Sequence, residues 1–212
     1  MSENPLPPTI DIDAQLKAQN EFEAAFGRAM LQWAELENVL GLWFCVATGM
    51  SEHMGRAIFY STTSFRPKLD LLYAAIDATD NLADTKHFLK SVLSKSRKYS
   101  TFRNAMAHGH VHYNMIQETA TYRQFVLSDG AIKSAEDLDG GITYSKLIIA
   151  ISNITDLATL SLDILPGPRQ SRPEISPEEH RLRVHRLPTE AWSDQPNLNH
   201  LPQPPRAPSV RT

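Results

Sequence analysis

The chain has 212 residues, which gives room for one domain of ordinary size and an extension, and 42% of them are hydrophobic. Its formal net charge is −3 at pH 7, but residues 166–212 hold seven basic and five acidic side chains, so the remaining body carries −5. An acidic body argues against broad, non-specific binding of nucleic acid by the whole surface, although it leaves room for a local basic site.

The single cysteine, Cys45, excludes a disulfide within the chain and a metal site built from several cysteines. It lies in an apolar helical run, so we expect a small buried side chain. The first residues lack the basic and then apolar pattern of a secretory signal, and no apolar run reaches the roughly 18 residues that a membrane span needs. We therefore expect a cytoplasmic protein with no membrane association.

The N-terminal part of the chain predicts three helices that follow a flexible segment of residues 1–12. In the first helix, apolar residues recur in steps of three and four, at Phe22, Phe26, Ala29, Trp33, Leu36, Leu40, Phe44 and Ala47. Gly49 predicts the end of this helix. Shorter helices are predicted after Ser51 and after Ser64, and the third of them is expected to direct Tyr73 inward.

A fourth helix is predicted from about Asp84 to Ala107, and Arg103 falls on its inward face. The inward positions are Phe88, Leu89, Val92, Leu93, Ser96, Tyr99, Arg103 and Met106. This helix carries six basic side chains and one acidic side chain. The excess of positive charge is typical either of a solvated helix face or of a row of cations that attracts phosphate. For the second alternative, the candidate phosphate- or RNA-binding side chains are Lys95, Arg97 and Lys98.

After the fourth helix the apolar period changes to two, which predicts a small β-hairpin, and Thr143 is predicted to cap a final helix. The expected fold is all-α: a bundle of about five helices over residues 13–165, with the hairpin after the fourth helix. Ten of the fourteen prolines lie from Pro166 onward, and apolar periodicity vanishes there. Residues 166–212 are therefore predicted to be a disordered, Pro-rich tail that adds nothing to stability.

Residues 103–109 read RNAMAHG and display a cation and a proton-transfer group where a helix stops. The guanidinium of Arg103 suits phosphate oxygens, and the imidazole of His108 exchanges a proton near neutral pH. Gly109 is expected to end the helix in the left-handed conformation. Arg103 and His108 are about 140° apart on an ideal helix, so His108 is expected to turn aside at the terminus and reach the same cleft.

An arginine on an apolar face needs a partner, because desolvating a lone charge is costly. Glu37, at the edge of the inward face of the first helix, is the expected partner of Arg103, with Glu35 second. A buried ion pair that only fixes the register of two helices is the alternative to a catalytic role. The alternation of His108, His110 and His112 could suit a metal, but no carboxylate or cysteine stands near them, so no metal is expected.

Arg103, Asn104 and His108, with Gly109 next, match the Arg-Asn-x-x-x-His signature of HEPN-domain proteins. Over roughly residues 15 to 165 the chain resembles this family, whose members are all-helical and commonly pair so that two such motifs face one cleft. The resemblance implies a homodimer. The apolar face of the first helix is also longer than the bundle needs, which places some of Trp33, Leu40, Trp43 and Phe44 at the expected subunit contact.

Many HEPN domains are ribonucleases that use no metal or other cofactor, and the resemblance implies RNA cleavage through attack by the ribose 2′-hydroxyl. His108 would be the general acid or base, Arg103 would stabilise the charge on the phosphorane-like transition state, and Asn104 would orient His108 or the phosphate. DNA, which lacks the hydroxyl, would not be a substrate. The alternatives are a catalytically inactive module that binds RNA or a nucleotide or braces a dimer, and a toxin or stress-defence component neutralised by a partner protein.

Overall fold

The computed structural model describes residues 12–115, 123–128, 141–166 and 176–191. Within these ranges the helices are α1 (Ile12–Thr48), α2 (Glu52–Ser61), α3 (Phe65–Ala78), α4 (Lys86–His108), α5 (Tyr144–Asp163) and α6 (Pro177–Arg186). The strands are β1 (His110–Met115), β2 (Arg123–Ser128) and β3 (Ile142–Thr143). The predicted all-α bundle is confirmed, with one more helix than expected.

Helix α1 is the centre of the bundle and packs against α2, α3 and α5. The apolar face predicted for the first helix is confirmed, since seven of its eight side chains are buried and Phe26 is partly buried. The indole Nε1 of Trp43 donates a hydrogen bond of 2.9 Å to the carbonyl oxygen of Ser161, which ties α1 to α5. The four side chains that were expected at a subunit contact are at most 3% exposed within one chain, so that expectation is wrong.

The helix boundaries follow the capping residues of the sequence. Gly49 ends α1 with φ of 67°, the left-handed conformation that glycine adopts without steric cost. The hydroxyls of Ser51 and Thr143 accept hydrogen bonds from the first turns of α2 and α5. Gly109 behaves differently, because its φ is −77° and its ψ is 156°, so the chain leaves α4 in extended conformation and enters β1 directly. The expected left-handed end at Gly109 is wrong.

Strands β1 and β2 pair antiparallel after α4, with His110 opposite Ser128 and Met115 opposite Arg123. The residues that join them, 116–122, lie outside the described ranges. The short strand β3 adds to the free edge of β2 and leads straight into α5. The sheet order is β1-β2-β3, so this small sheet stands between the end of α4 and the start of α5.

Part of the sequence that was predicted to be a disordered tail folds onto the bundle. Ser176 caps α6, and Pro177 occupies its first turn, where a missing N–H has no cost. Val184 and Ala191 are fully buried, and His180 is 4% exposed. The prediction is therefore wrong for residues 176–191, while 167–175 and 192–212 lie outside the described residues.

Helix α5 is long and apolar enough to cross a membrane by length and composition, and no other helix in the described ranges is. The sequence had not led us to expect such a run. The inward side chains of α5 repeat in steps of three and four, at Leu147, Ala150, Ile154 and Leu157, and pack in the core that α1 centres. A buried core helix has the same length and composition, so α5 is only a weak indication of membrane insertion.

Candidate functional site

Arg103 and Asn104 form a contact pair in the last two turns of α4. The Nη1 atom of Arg103 donates a hydrogen bond of 3.4 Å to Oδ1 of Asn104. The guanidinium is only partly buried, and its Nε atom is inaccessible to solvent and has no hydrogen-bond partner among the described residues. The part of the side chain that remains accessible carries a fixed positive charge and can bind an anion.

Glu37, the expected partner of Arg103, pairs instead with a lysine of α3. Its Oε1 atom lies 2.5 Å from Nζ of Lys68, and this ammonium also lies 4.8 Å from the ring centroid of Tyr60. Glu35 is exposed. Among the described residues, no carboxylate forms an ion pair with Arg103. The predicted Glu37–Arg103 pair is therefore wrong, because Lys68 already satisfies the carboxylate.

His108 is the last residue of α4 and is exposed. The amide of Gly109 donates a hydrogen bond of 2.8 Å to the carbonyl oxygen of Ala105, which keeps the helix regular through His108. His108 is therefore about 140° from Arg103 around the helix, but only about 40° from Asn104, one turn before it. The expected turn of His108 toward Arg103 is wrong, and within one chain Asn104 is the residue that lies between the two groups.

The arrangement is suited to a substrate anion that bridges two positions on the end of α4. Arg103 offers a fixed positive charge, and the carboxamide oxygen of Asn104 accepts a hydrogen bond from it, while the NH₂ group of Asn104 can donate to a ligand. The exposed imidazole of His108 can transfer a proton to a bound group from the neighbouring turn. These three side chains can bind a phosphodiester and supply one proton-transfer group per chain.

The three cations predicted to bind phosphate are in different environments. Lys95 is 5% exposed, and its ammonium donates hydrogen bonds of 2.7 and 3.1 Å to the carbonyl oxygens of Leu187 and Pro188. Burial, with the neighbouring charge of Lys98 second, lowers the pKa of Lys95 to about 8. Lys95 therefore cannot belong to an exposed phosphate-binding stripe, since its ammonium is committed to the C-terminal segment. Arg97 and Lys98 are exposed, as a phosphate-binding role requires.

Sequence reasoning missed a cavity of about 440 Å³ between α3 and α4. Its lining is Leu69, Asp70, Tyr73, Lys90, Leu93, Ser94 and Arg97. Tyr73, which the apolar pattern had directed inward, is 44% exposed, and Nζ of Lys90 lies 4.8 Å from its ring centroid. The signal that could have found it is the spacing of Lys90, Ser94 and Arg97, which share one face of α4 with Asn104 and His108.

Among the residues that the structure describes, no group of three or more His, Cys, Asp or Glu side chains could hold a metal ion. The side chains of His110 and His112 are outside that description. A comparison of the chain with protein-family models, with curated proteins and with solved structures finds no match.

Proposed function

We propose that Arg103, Asn104 and His108 form a site that cleaves RNA without a metal ion, as the resemblance to HEPN ribonucleases implies. The observation that carries the proposal is the position of Arg103, whose partly exposed side chain lies near the end of α4 in contact with Asn104. No carboxylate among the described residues neutralises this guanidinium. A phosphodiester oxygen that contacts the accessible part of the guanidinium would neutralise this charge.

In the proposed reaction, the 2′-oxygen of a ribose attacks the adjacent phosphorus, and the bond from phosphorus to the 5′-oxygen breaks. The products are a 2′,3′-cyclic phosphate and a 5′-hydroxyl, so no water molecule is consumed in this step. Arg103 stabilises the additional negative charge on the phosphorane-like transition state. His108 either removes the proton from the 2′-hydroxyl or delivers one to the leaving 5′-oxygen.

One imidazole cannot remove and deliver a proton in the same step, so the proposed enzyme is a homodimer. The second proton-transfer group is then His108 of another copy, with the two α4 ends facing one cleft. The separation of about 140° between Arg103 and His108 on one helix supports this arrangement, because each anion site needs an imidazole from elsewhere.

The same angular separation favours a second candidate function, a non-catalytic module that binds RNA or a nucleotide. In a single chain, Arg103 contacts Asn104 but lies about 140° around the helix from His108. Such a chain binds a phosphate and leaves it intact. In either case, if the chain is a toxin or stress-defence component that a protein partner holds inactive, its expression should slow growth.

The experiment is incubation of the purified protein with a labelled single-stranded RNA, and with DNA of the same sequence, in the presence of EDTA. We expect RNA cleavage with 2′,3′-cyclic phosphate ends and no cleavage of DNA. His108→Ala should lower the rate by about 10²–10⁴-fold, the usual worth of a positioned acid or base. His87→Ala is the matched control, because His87 is also exposed and lies at the opposite end of α4.

A requirement for a divalent metal, or equal cleavage of DNA, would overturn the mechanism. Binding of RNA without cleavage would favour the non-catalytic module. If growth inhibition on expression is relieved by His108→Ala but not by His87→Ala, the toxin context is supported together with the enzyme.

A further inference from the structure

The cavity between α3 and α4 has the size and composition of a ligand site. Its volume of about 440 Å³ falls within the range of small-molecule sites, roughly 300–1,000 Å³. Leu69 and Leu93 are at most 5% exposed and form an apolar floor. The remaining lining consists of the phenol ring of Tyr73 and of polar side chains at the rim. An apolar floor with a polar rim suits a flat, partly apolar molecule that carries hydrogen-bonding groups on its edge.

Tyr73 provides a surface for stacking. It is 44% exposed although it lies on a helix whose neighbouring positions Leu69, Leu72 and Ile76 are buried. The ammonium of Lys90 lies over the Tyr73 ring, 4.8 Å from its centroid, so it covers one face of the ring and a base would stack on the opposite face. Aromatic rings beside cations are the usual means by which proteins hold unpaired bases of a single strand.

Asp70 and Arg97 provide a hydrogen-bond acceptor and donors on the same wall. Their side chains form an ion pair and are 56% and 51% exposed, so the pair contributes little stability and can be opened at small cost. The edge of a nucleobase carries donors and acceptors side by side, which such a pair can match. The nearby carboxylate of Asp77 pairs with both Lys86 and Lys90, so cations outnumber carboxylates around the cavity.

The cavity lies on the same face of α4 as two residues of the proposed cleavage site. Lys90, Ser94, Arg97, Thr101, Asn104 and His108 follow one another in steps of four and three, which keeps them on one side of a helix. The axial distance from Arg97 to His108 is about 16 Å. A stacked strand with a rise of about 3.4 Å per nucleotide covers this distance with about five nucleotides.

We propose that this cavity is a subsite for an unpaired nucleobase, which stacks on Tyr73 while Arg97 and Asp70 contact its edge. The base belongs to a single-stranded RNA that continues along the exposed face of α4 to Asn104 and His108. The role of the subsite in cleavage rests on the proposed function, whereas binding of the base does not. A free nucleotide offers the same base, so the test separates the two sources.

The test measures dissociation constants for a labelled ten-nucleotide RNA and for the four ribonucleoside monophosphates, in the His108→Ala background so that RNA remains intact. Tyr73→Ala should weaken RNA binding about tenfold, the usual worth of one stacked base, and Tyr73→Phe should retain it. Tyr144→Ala is the matched control, because Tyr144 is 43% exposed on α5. Arg97→Gln should weaken RNA binding in the same direction as Tyr73→Ala.

Equal binding by Tyr73→Ala and its parent would overturn the subsite. If the monophosphates bind and depend on Tyr73 while the RNA does not, the occupant is a free nucleotide and the RNA path is wrong. If Tyr73→Ala with His108 intact cleaves RNA with an unchanged KM, the subsite is contradicted and the proposed function is retained. Tyr73-dependent binding of RNA by a chain that never cleaves RNA would support the subsite and contradict the proposed function.

Discussion

The ammonium of Lys95 on α4 donates a hydrogen bond of 2.7 Å to the carbonyl oxygen of Leu187, just after α6. The next carbonyl, that of Pro188, accepts from both Lys95 and the hydroxyl of Tyr99 at 3.1 Å each. Asn153 of α5 adds a hydrogen bond of 2.8 Å to the carbonyl oxygen of Ala191. The segment 187–191 is thus attached through its own backbone to polar side chains buried in the bundle.

Removal of residues 176–212 should lower the thermal midpoint clearly. The truncation exposes the apolar surface under Val184 and removes the hydrogen bonds that Lys95, Tyr99 and Asn153 donate to segment 187–191, so we expect a loss of about 3–5 kcal/mol. For a chain of this size, that corresponds to roughly 6–20 °C in differential scanning calorimetry. The matched control is a chain that ends after residue 191. Equal midpoints for the two truncated chains would show that the segment adds no stability.

Lys95→Met should change the pH dependence of stability in alkaline solution. Because burial lowers the pKa of Lys95 to about 8 in the folded chain, the unfolded chain binds the extra proton between that pKa and the ordinary lysine pKa of 10.5. The free energy of unfolding of the parent should therefore rise with pH in this window, by at most about 1.4 kcal/mol per unit, relative to the variant. Urea titrations between about pH 7.5 and 10 measure the difference. Parallel profiles would mean that Lys95 keeps its ordinary pKa.

Lys68→Met should be more damaging than Glu37→Gln. The side chains of Lys68 and Glu37 are 8% and 18% exposed, so loss of the lysine leaves a carboxylate in a poorly solvated place, at a cost of about 3–5 kcal/mol. The amide of Glu37→Gln still accepts a hydrogen bond from Lys68. A double-mutant cycle in urea measures the coupling, and the exposed Glu35→Gln serves as control, with an expected change under about 0.5 kcal/mol. A coupling near zero would contradict the pair.

Gly55→Ala and Gly27→Ala should change stability in opposite directions. A Cβ atom at Gly55 would lie 2.5 Å from Sγ of Cys45, so α2 must shift away from α1 and stability should fall by about 1–3 kcal/mol. At Gly27 no atom lies within 4 Å of the added Cβ, and alanine should raise stability by up to about 1 kcal/mol through helix propensity. Chemical denaturation of both variants gives the comparison. Cys45→Ala should reduce the penalty at Gly55, and a neutral Gly55→Ala would show that the two helices are not in close contact.

Arg103→Met should separate stability from activity. Because no described carboxylate pairs with Arg103 and its Nε atom has no acceptor among the described residues, the substitution should leave the free energy of unfolding within about 1 kcal/mol of the parent. RNA cleavage should fall by about 10²–10³-fold, since the transition-state charge loses its donor. Calorimetry and initial rates on the same preparation provide both values. A loss of several kcal/mol would instead indicate a buried carboxylate partner.

The apolar faces of α1 and α4 could be predicted from sequence because a helical stripe is a local property of spacing. All the predicted inward positions of α4 are buried except Arg103, which is partly buried. Exposure of long side chains was less predictable. Tyr73 points outward and Lys95 inward, because each has an apolar body with a polar end that either environment can accept.

Ion pairing and the C-terminal segment could not be read from the sequence for a different reason. Glu37 has several cations at compatible helical positions, and only the packing of α3 on α1 selects Lys68. Helix α6 buries just His180 and Val184, which is too few to form a recognisable apolar repeat. The main attachments of the following segment are backbone carbonyls, which every sequence possesses.

The hydrogen bond from Trp43 to Ser161 joins residues 118 positions apart, so it can form only after most of the chain has been synthesised. At about 5–20 residues per second, the ribosome reaches Ser161 roughly 6–24 s after Trp43. Throughout this interval the longest apolar stripe of the chain lacks the helix that covers much of it. Part of the apolar surface of nascent α1 therefore stays uncovered until α5 has emerged from the ribosome.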